Sequence, residues 1–342
     1  MNLDLEKIEI FKQMLATPQK VVILSHTNPD GDAIGSSLAL AEVLKERGHT
    51  VHCILPNRFP YYLKWMPKSD ELIIHAQDKL GVSQSVIEAA DVVICADLRS
   101  LSRLAALTEI IAANTTAKRI LVDHHLNPSS EFDLVFSYPE SSSTAYLVSE
   151  IIKAAYGREA FNQTIATLLY VGMITDTGNF AFSNINPDLF RAAADLLETG
   201  IDVPTIYNNV YNSFTEGRAR LFGYVINRKM KTLLKGTVAY ISLTEDEMRK
   251  FWFQQGDSEG FVNYPLSIKK VKMSAMFSEQ QGGFIRVSLR SHDSVDVNSF
   301  ALRYFNGGGH HNAAGGKSFM NMEDTIAHYI KSVEEYHNEG NV

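Results

Sequence analysis

The feature that most limits what this chain can fold into is an alternation in its first half. Short apolar, β-branched runs recur there: VVIL at 21–24, TVHCIL at 50–55, ELIIHA at 71–76, DVVICA at 91–96 and RILV at 119–122. Between them lie longer stretches of helical periodicity, AIGSSLALAEVLKERG, closed by Gly48, and SLSRLAALTEIIAAN. Continuous apolar runs are strands that need cover on both faces, and the intervening helices supply it. The fold class that follows is α/β, with a doubly wound, mostly parallel sheet. Ligands of such sheets gather at the carboxyl ends of the strands, so the residues just after each run matter most.

At 342 residues the chain exceeds what one core comfortably fills, which points to two domains. The first, expected over 1–186, continues with a helix capped by the serines at 141–143 (TAYLVSEIIKAAYG) and another at about 163–175. Residues 187–230 read as a helical connector (PDLFRAAADLLETG, then TEGRARLFGYVINRKM). Over 231–342 the pattern changes to LLKGTVAYISL, a capping box Thr244-x-x-Glu247, and the strands VKMSAMF and FIRVSLRS joined by a QQGG turn. This is a second, smaller α/β domain.

The start, MNLDLEKIEIFKQML, is acidic and amphipathic, and no apolar run reaches membrane-spanning length, so a cytoplasmic protein away from the membrane is expected. Cys53 and Cys95 lie inside strand-like runs without CxxC spacing and read as buried and inert. The net charge of −7 disfavours coating of long nucleic acid, whose affinity comes from neutralising many phosphates. The charge is uneven, however. From Pro265 to Met320 seven Lys or Arg (Lys269, Lys270, Lys272, Arg286, Arg290, Arg303, Lys317) face three acids (Glu279, Asp293, Asp296). That balance suits either a small anionic substrate or a solvated surface.

Three of the strand runs end in metal-capable side chains. VVIL leads through SHTNPDGDAIGSS into His26, Asp30 and Asp32, DVVICA into Asp97, and RILV into Asp123, His124 and His125. Asp176, in ITDTGNF, ends an apolar helix, with Gly178 permitting a sharp exit. One such ending is an ordinary turn or cap, and Asp32 is a candidate cap for the helix after it. Three endings converging on one crevice are not so easily ascribed to capping. Four aspartates and two histidines cannot crowd together without cations between them, because like charges must protonate or be neutralised. Two divalent metals sharing one carboxylate resolve the conflict, and the mixture of imidazole and carboxylate suits Mn²⁺. The second constellation is NGGGHHNAAGG at 306–316, where glycines admit an anion to backbone N–H groups and His310 adds a donor. Arg290, at the end of FIRVSLR, is its natural companion for a phosphate.

Taken in order, HTNPDGD, the strand-ending aspartate at 97, VDHH and TDTG resemble the motifs of the DHH phosphoesterase superfamily. RSHDSVDVNSFALRYFNGGGHHNAAGG resembles the signature of its DHH-associated C-terminal domain. Asn306 and Asn184 are small departures from the usual pattern, and neither is a presumed ligand. The resemblance implies that His26, Asp30 and Asp97 hold one metal, and that Asp32, Asp97, His124 and Asp176 hold the other. It implies that His125 faces the substrate phosphate while Asp123 orients the imidazoles, and that Arg290, Gly308, Gly309 and His310 grip the substrate. Arg103, after Asp97, is a further phosphate contact to consider.

The implied activity is a Mn²⁺-dependent phosphodiesterase acting on very short RNA oligonucleotides, and on 3′-phosphoadenosine 5′-phosphate (pAp), rather than on long strands. A cyclic or linear di-adenylate phosphodiesterase is the alternative enzyme, and a nucleotide-binding sensor the alternative outside catalysis. A sensor would be expected to lack a ligand, and none of the six is missing. The oligomeric state, homodimer included, stays open at this level.

Overall fold

The computed structural model describes residues 1–182, 185–292 and 294–342, so Asn184 and Asp293 lie outside the described residues. The chain forms two compact units, Met1–Ser213 and Phe214–Val342.

The first unit is built on a six-stranded sheet: β1 (Lys20–Leu24), β2 (Thr50–Leu55), β3 (Ile73–Ile74), β4 (Val92–Ala96), β5 (Lys118–Asp123) and β6 (Leu134–Ser137). Its order is β3-β2-β1-β4-β5-β6 and every pairing is parallel. Chain direction across the sheet reverses between β1 and β4, which opens a crevice at their carboxyl ends. The helices are α1 (Leu5–Met14), α2 (Gly31–Lys45), α3 (Val82–Glu88), α4 (Leu107–Ala113), α5 (Thr144–Tyr156), α6 (Gln163–Asp176), α7 (Pro187–Leu197) and α8 (Val203–Tyr211).

Side-chain alternation divides each central strand between two cores. Val21 and Ile23 of β1 join Ile34 and Leu38 of α2, while Val22 and Leu24 join Ile87 and Leu107 on the other face. Cys53 and Cys95 follow the same rule, one in each core. Burial pushes the Cys53 thiol up to about 12 and raises Cys95 as well. Both thiols are therefore expected to resist a thiol-specific disulfide reagent in the native protein and to react only on unfolding, as a colorimetric thiol titration would show.

Three local expectations differ from the structure. The strand expected at 71–76 pairs over only Ile73–Ile74, flanked by 3₁₀ turns. The helix expected over 100–114 is broken by Ala105, whose φ of +52° cannot continue a helix, so Leu101–Leu104 forms a 3₁₀ turn and α4 starts anew. The sequence reading also passed over α3 and the edge strand β6. The segment expected as a connector is helical but divides between the two units: α7 packs Leu189 and Leu196 into the first core, and α9 (Glu216–Tyr224) packs Leu221 into the second unit.

The second unit carries a mixed sheet of β7 (Lys231–Leu233), β8 (Val238–Leu243), β9 (Met273–Gln280), β10 (Phe284–Ser291), β11 (Gly308–His310) and β12 (Ala313–Ser318), in the order β11-β12-β10-β9-β8-β7. Only β8 and β9 pair in parallel. The helix α10 (Glu245–Lys250) begins at the expected capping box of Thr244 and Glu247. On one face of the sheet, Ile285, Val287 and Leu289 pack with Phe300 of α11 (Val297–Phe305) and Tyr329 of α12 (Met322–Asn338). On the other face, Ile241, Leu243 and Met276 are covered by Leu221 and Phe261. Among the described residues no helix is long and apolar enough to cross a membrane.

Candidate metal centre

The turn after β1 and the start of α2 place three of the expected ligands. His26 is buried, with Nδ1 2.8 Å from the Thr27 carbonyl and Nε2 3.3 Å from Asp97 Oδ2. Donation from Nδ1 to the carbonyl leaves the Nε2 lone pair available to a cation. The turn itself is held in shape by Asn57, which accepts from the Asn28 N–H at 2.7 Å and donates to the Asn28 side chain at 2.9 Å. This matters because Asn28 sits at φ +56°, a conformation asparagine tolerates better than most residues.

Asp30, not Asp32, is the cap of α2: its Oδ1 accepts from the N–H groups of Asp32 and Ala33. Asp32 instead reaches across to α5, where its two oxygens accept from the N–H groups of Thr144 and Ala145, each at 2.7 Å. The helix N-terminus thus anchors one acid of the cluster. Between the two acids, Gly31 is required for close packing: a Cβ there would lie 2.5 Å from Thr175 Oγ1 of α6.

Asp97 ends β4 beside the reversal point, nearly buried at 2 % exposure and at φ +61°. Its Oδ1 accepts from Thr144 Oγ1 at 3.1 Å and lies 3.7 Å from both His124 Nε2 and His125 Nδ1. Burial would raise this carboxyl, but His26, through hydrogen bond and charge, with His125 and His124 behind it, holds it well below the usual carboxylate range. A strained backbone at the convergence point of three imidazoles is the kind of outlier that accompanies function.

The end of β5 supplies the remaining imidazoles. His124 has Nδ1 3.2 Å from the Ser141 carbonyl, leaving Nε2 3.4 Å from Asp176 Oδ2. Asp123 is fully buried; its Oδ1 lies 2.7 Å from His125 Nδ1, and its Oδ2 has no hydrogen-bond partner. The Nε2 of His125 is 3.4 Å from Arg103 Nη1. Arg103 belongs to the 3₁₀ turn after β4, and its carbonyl accepts from the Thr27 N–H, which ties the turn after β1 to the arginine.

Ligand atoms of His26, Asp30 and Asp97 lie within 4.8 Å of one another, as do those of Asp32, Asp97 and His124, and those of Asp97, Asp123 and His125. All eight residues singled out in the first unit, Arg103 apart, are therefore brought to one place. Electrostatically the cluster is unfavourable by itself. Burial and the charges of Asp97, Asp176 and Asp30 push Asp32 well above the ordinary carboxylate range. Burial, with Asp30 and Asp97, pushes Asp176 up to about 6 against the pull of His124, although 31 % of that side chain stays exposed. Burial would lower His26 and His124, but neighbouring carboxylates, Asp97 for His26 and Asp176 for His124, raise both. Carboxylates in excess, His26 and His124 with Nδ1 committed and Nε2 turned towards the acids: this donor set fits divalent cations.

In the second unit, Arg290 lies near the end of β10, donating from Nη1 to the Leu289 carbonyl at 2.9 Å, and pairs in register with Ala313 of β12. The glycine run is more structured than a loop: Gly308, Gly309 and His310 form β11 against β12. The Gly309 N–H donates to Asn298 Oδ1 at 2.8 Å, and a Cβ on Gly309 would strike the Ala313 carbonyl. At least this N–H is thus committed within the protein rather than open to an anion. Asn306 is the left-handed cap of α11 at φ +47°, which accounts for an asparagine there. Sequence reasoning missed Thr144, whose backbone holds Asp32 and whose hydroxyl holds Asp97, and Asn57. The only signal for Thr144 was the serine-rich cap of α5; nothing local marks Asn57.

Residues 20–173 match the model of the DHH family N-terminal domain, and residues 235–338 match the DHHA1 domain. The chain is 27 % identical over 334 residues to the bifunctional oligoribonuclease and PAP phosphatase NrnA of Thermus thermophilus, covering 96 % of this chain and 94 % of that one. It is 26 % identical over 332 residues to the protein of the same description from Mycoplasma genitalium, covering 96 % and 97 %. A crystal structure of an exopolyphosphatase-related protein from Bacteroides fragilis superposes with a TM-score of 0.91 at 39 % identity, over 97 % of both chains. The chain belongs to the DHH family and is a metal-dependent phosphoesterase with a DHHA1 domain as its second part.

Proposed function

We propose that this phosphoesterase hydrolyses RNA oligonucleotides of a few residues to mononucleotides in the cytoplasm, and also dephosphorylates pAp, with two Mn²⁺ ions. The single observation that carries this reading is that Asp97 is shared by the triad with His26 and Asp30 and the triad with Asp32 and His124. In this reading His26, Asp30 and Asp97 hold one ion, and Asp32, Asp97, His124 and Asp176 hold the other. When bound, such ions supply Lewis-acid stabilisation of phosphoryl oxygens and a water acidic enough to attack near neutral pH.

The protein's own groups do the positioning. Thr27 and Ser141 carbonyls select the tautomers of His26 and His124. Thr144 fixes Asp32 and Asp97 together from one helix end, so the carboxylates of α2 and of the end of β4 keep a common geometry. Asp123 orients His125, whose Nε2 stands beside the Arg103 guanidinium, and together they suit an anionic oxygen of the substrate. From the second unit, Arg290, Gly308 and His310 grip a substrate phosphate, while Gly309, its N–H held by Asn298, shapes the strand that presents them.

Short substrates are favoured because the chain, at net charge −7, has one locally basic stretch and cannot neutralise many phosphates. The expected result is a kcat/KM highest on RNA of about two to five nucleotides and falling on longer strands, where counterion release brings this acidic protein little. The measurement compares RNA of increasing length, pAp and cyclic di-adenylate under one salt and Mn²⁺ condition. Undiminished efficiency on strands of about twenty nucleotides, several times the site size of one small binding fold, would instead indicate a processive exonuclease. Preference for the cyclic dinucleotide would select the alternative enzyme.

A further inference from the structure

We infer that Phe180 is a positioning residue for Asp176: the left-handed turn it closes holds that carboxylate towards His124 and so sets the affinity of the second ion. The inference rests on the two-ion reading above. It starts from a difference among the acids. Asp32 and Asp97 are each fixed by hydrogen bonds from Thr144. Among the described residues Asp176 has only its ion pair with His124, at 3.4 Å, and 31 % of its side chain is exposed. Its aim therefore depends on the backbone that carries it, the last turn of α6.

That backbone leaves the helix in an unusual way. Gly178, Asn179 and Phe180 sit in succession at φ +57°, +57° and +60°. Left-handed residues ordinarily occur singly, because each Cβ is pressed against the following carbonyl oxygen. Asparagine tolerates the region, but a phenylalanine there is an outlier. Such a conformation persists only where its surroundings over-determine it, and here they do. The buried Thr177 hydroxyl donates to the Met173 carbonyl at 2.6 Å and accepts from the Phe180 N–H at 3.0 Å. The Thr177 carbonyl accepts from the N–H groups of Ala181 and Phe182, each at 2.9 Å. Just before Asp176, the Ile174 carbonyl accepts from the Asn179 N–H at 2.8 Å and from the Tyr211 hydroxyl of α8 at 2.7 Å.

The ring of Phe180 completes the closure. Its centroid lies 6.1 Å from that of Tyr170, on the same helix as Asp176, and 5.2 Å from that of Phe190 on α7. The side chain thus folds back over α6 and is braced by the next helix, so aromatic packing offsets the cost of the left-handed backbone. Local propensity does not ask for a phenylalanine here, since glycine would make the same turn without strain. Glycine would supply no ring to brace the end of α6. The strain lies beside an acid that has no hydrogen bonds of its own, where rigid support from the surrounding chain is what aims a ligand.

The test is calorimetric titration of the metal-free, full-length protein with Mn²⁺, well below Tm. Wild type is compared with Phe180→Ala, Phe180→Tyr and Tyr211→Phe, and Asp176→Asn identifies the ion concerned. Phe180→Ala is expected to weaken that ion about tenfold, as loss of a ligand's support does, and to leave the other unchanged. Its turnover should fall at limiting Mn²⁺ and recover at saturating Mn²⁺. Tyr211→Phe removes one hydroxyl from a carbonyl that keeps a second donor, and should weaken the same ion about threefold. Phe180→Tyr keeps the ring and should bind both ions as wild type does. If Phe180→Ala does not fold, Tyr211→Phe decides. A merely structural phenylalanine would lower Tm and leave both affinities unchanged, or weaken both alike. Either result, with two ions bound by wild type, overturns the positioning role and leaves the two-ion reading standing. Wild type that binds fewer than two ions overturns both.

Discussion

Replacing Asp97 with alanine is expected to lower turnover by more than about 100-fold, beyond the range typical of losing a group that merely supports a ligand. The reason is its place: it belongs to three ligand triads, whereas Asp30 belongs to one. Elemental analysis after gel filtration should find metal loading lost more completely in Asp97→Ala than in Asp30→Ala. Because Asp97 sits at φ +61°, alanine would add backbone strain to the loss of charge. Asp97→Asn separates the two, since asparagine tolerates that conformation and keeps the Thr144 hydroxyl as a partner; it should fold normally and still fail to load both ions. Two ions per chain with near-normal turnover in the asparagine variant would defeat the shared-ligand arrangement.

The second large effect is expected at a residue that coordinates nothing. Helices α2 and α6 cross at Gly35 and Gly172, with a Cβ on Gly35 only 3.2 Å from the Gly172 nitrogen. A Cβ on Gly172 would strike the Ala145 side chain and come 2.9 Å from Asp32 Oδ1. Gly172→Ala must therefore displace both α5 and the acid that α5 anchors. Overpacking of this kind costs about 1–3 kcal/mol, visible as a Tm lowered by several degrees, roughly 2–4 °C per kcal/mol for a unit of this size. The functional loss should exceed what instability explains, because a displacement near 1 Å at a reacting site can cost about 100-fold. The check is kcat/KM measured well below Tm, alongside Mn²⁺ affinity by calorimetry. Unchanged metal affinity and turnover would mean that the site does not depend on this crossing.

The two effects differ in how visible they are to a reader of the sequence alone. Asp97 stands directly after an apolar run, and a strand end in a parallel sheet is a place where ligands are expected. His26, Asp30, Asp123, His124 and His125 share that signature, and Asp176 closes a helix whose apolar periodicity is plain. Nothing around Gly172 in LLYVGMITD, by contrast, says that it faces Ala145 and Asp32.

The same division runs through the rest of the molecule. Strand and helix alternation, the two-part organisation and the identity of the acids and imidazoles are written locally, because apolar periodicity and turn chemistry depend on neighbours a few residues away. Where the chain departs from local expectation, a distant contact or an unusual backbone angle decides. Ala105 at φ +52° breaks a helix that its composition favours, and the edge strand β6 exists because β5 offers it a partner. Asp32 looks like a helix cap from its own neighbours, but the N–H groups that hold it come from residues more than a hundred positions later. Sequence by itself determined which donors this protein owns and that strand ends would carry them. Only the tertiary structure decided which acid caps a helix, which is anchored by another helix, and that Asp97 is the carboxylate common to three triads, because those assignments depend on distances between segments that local periodicity does not encode.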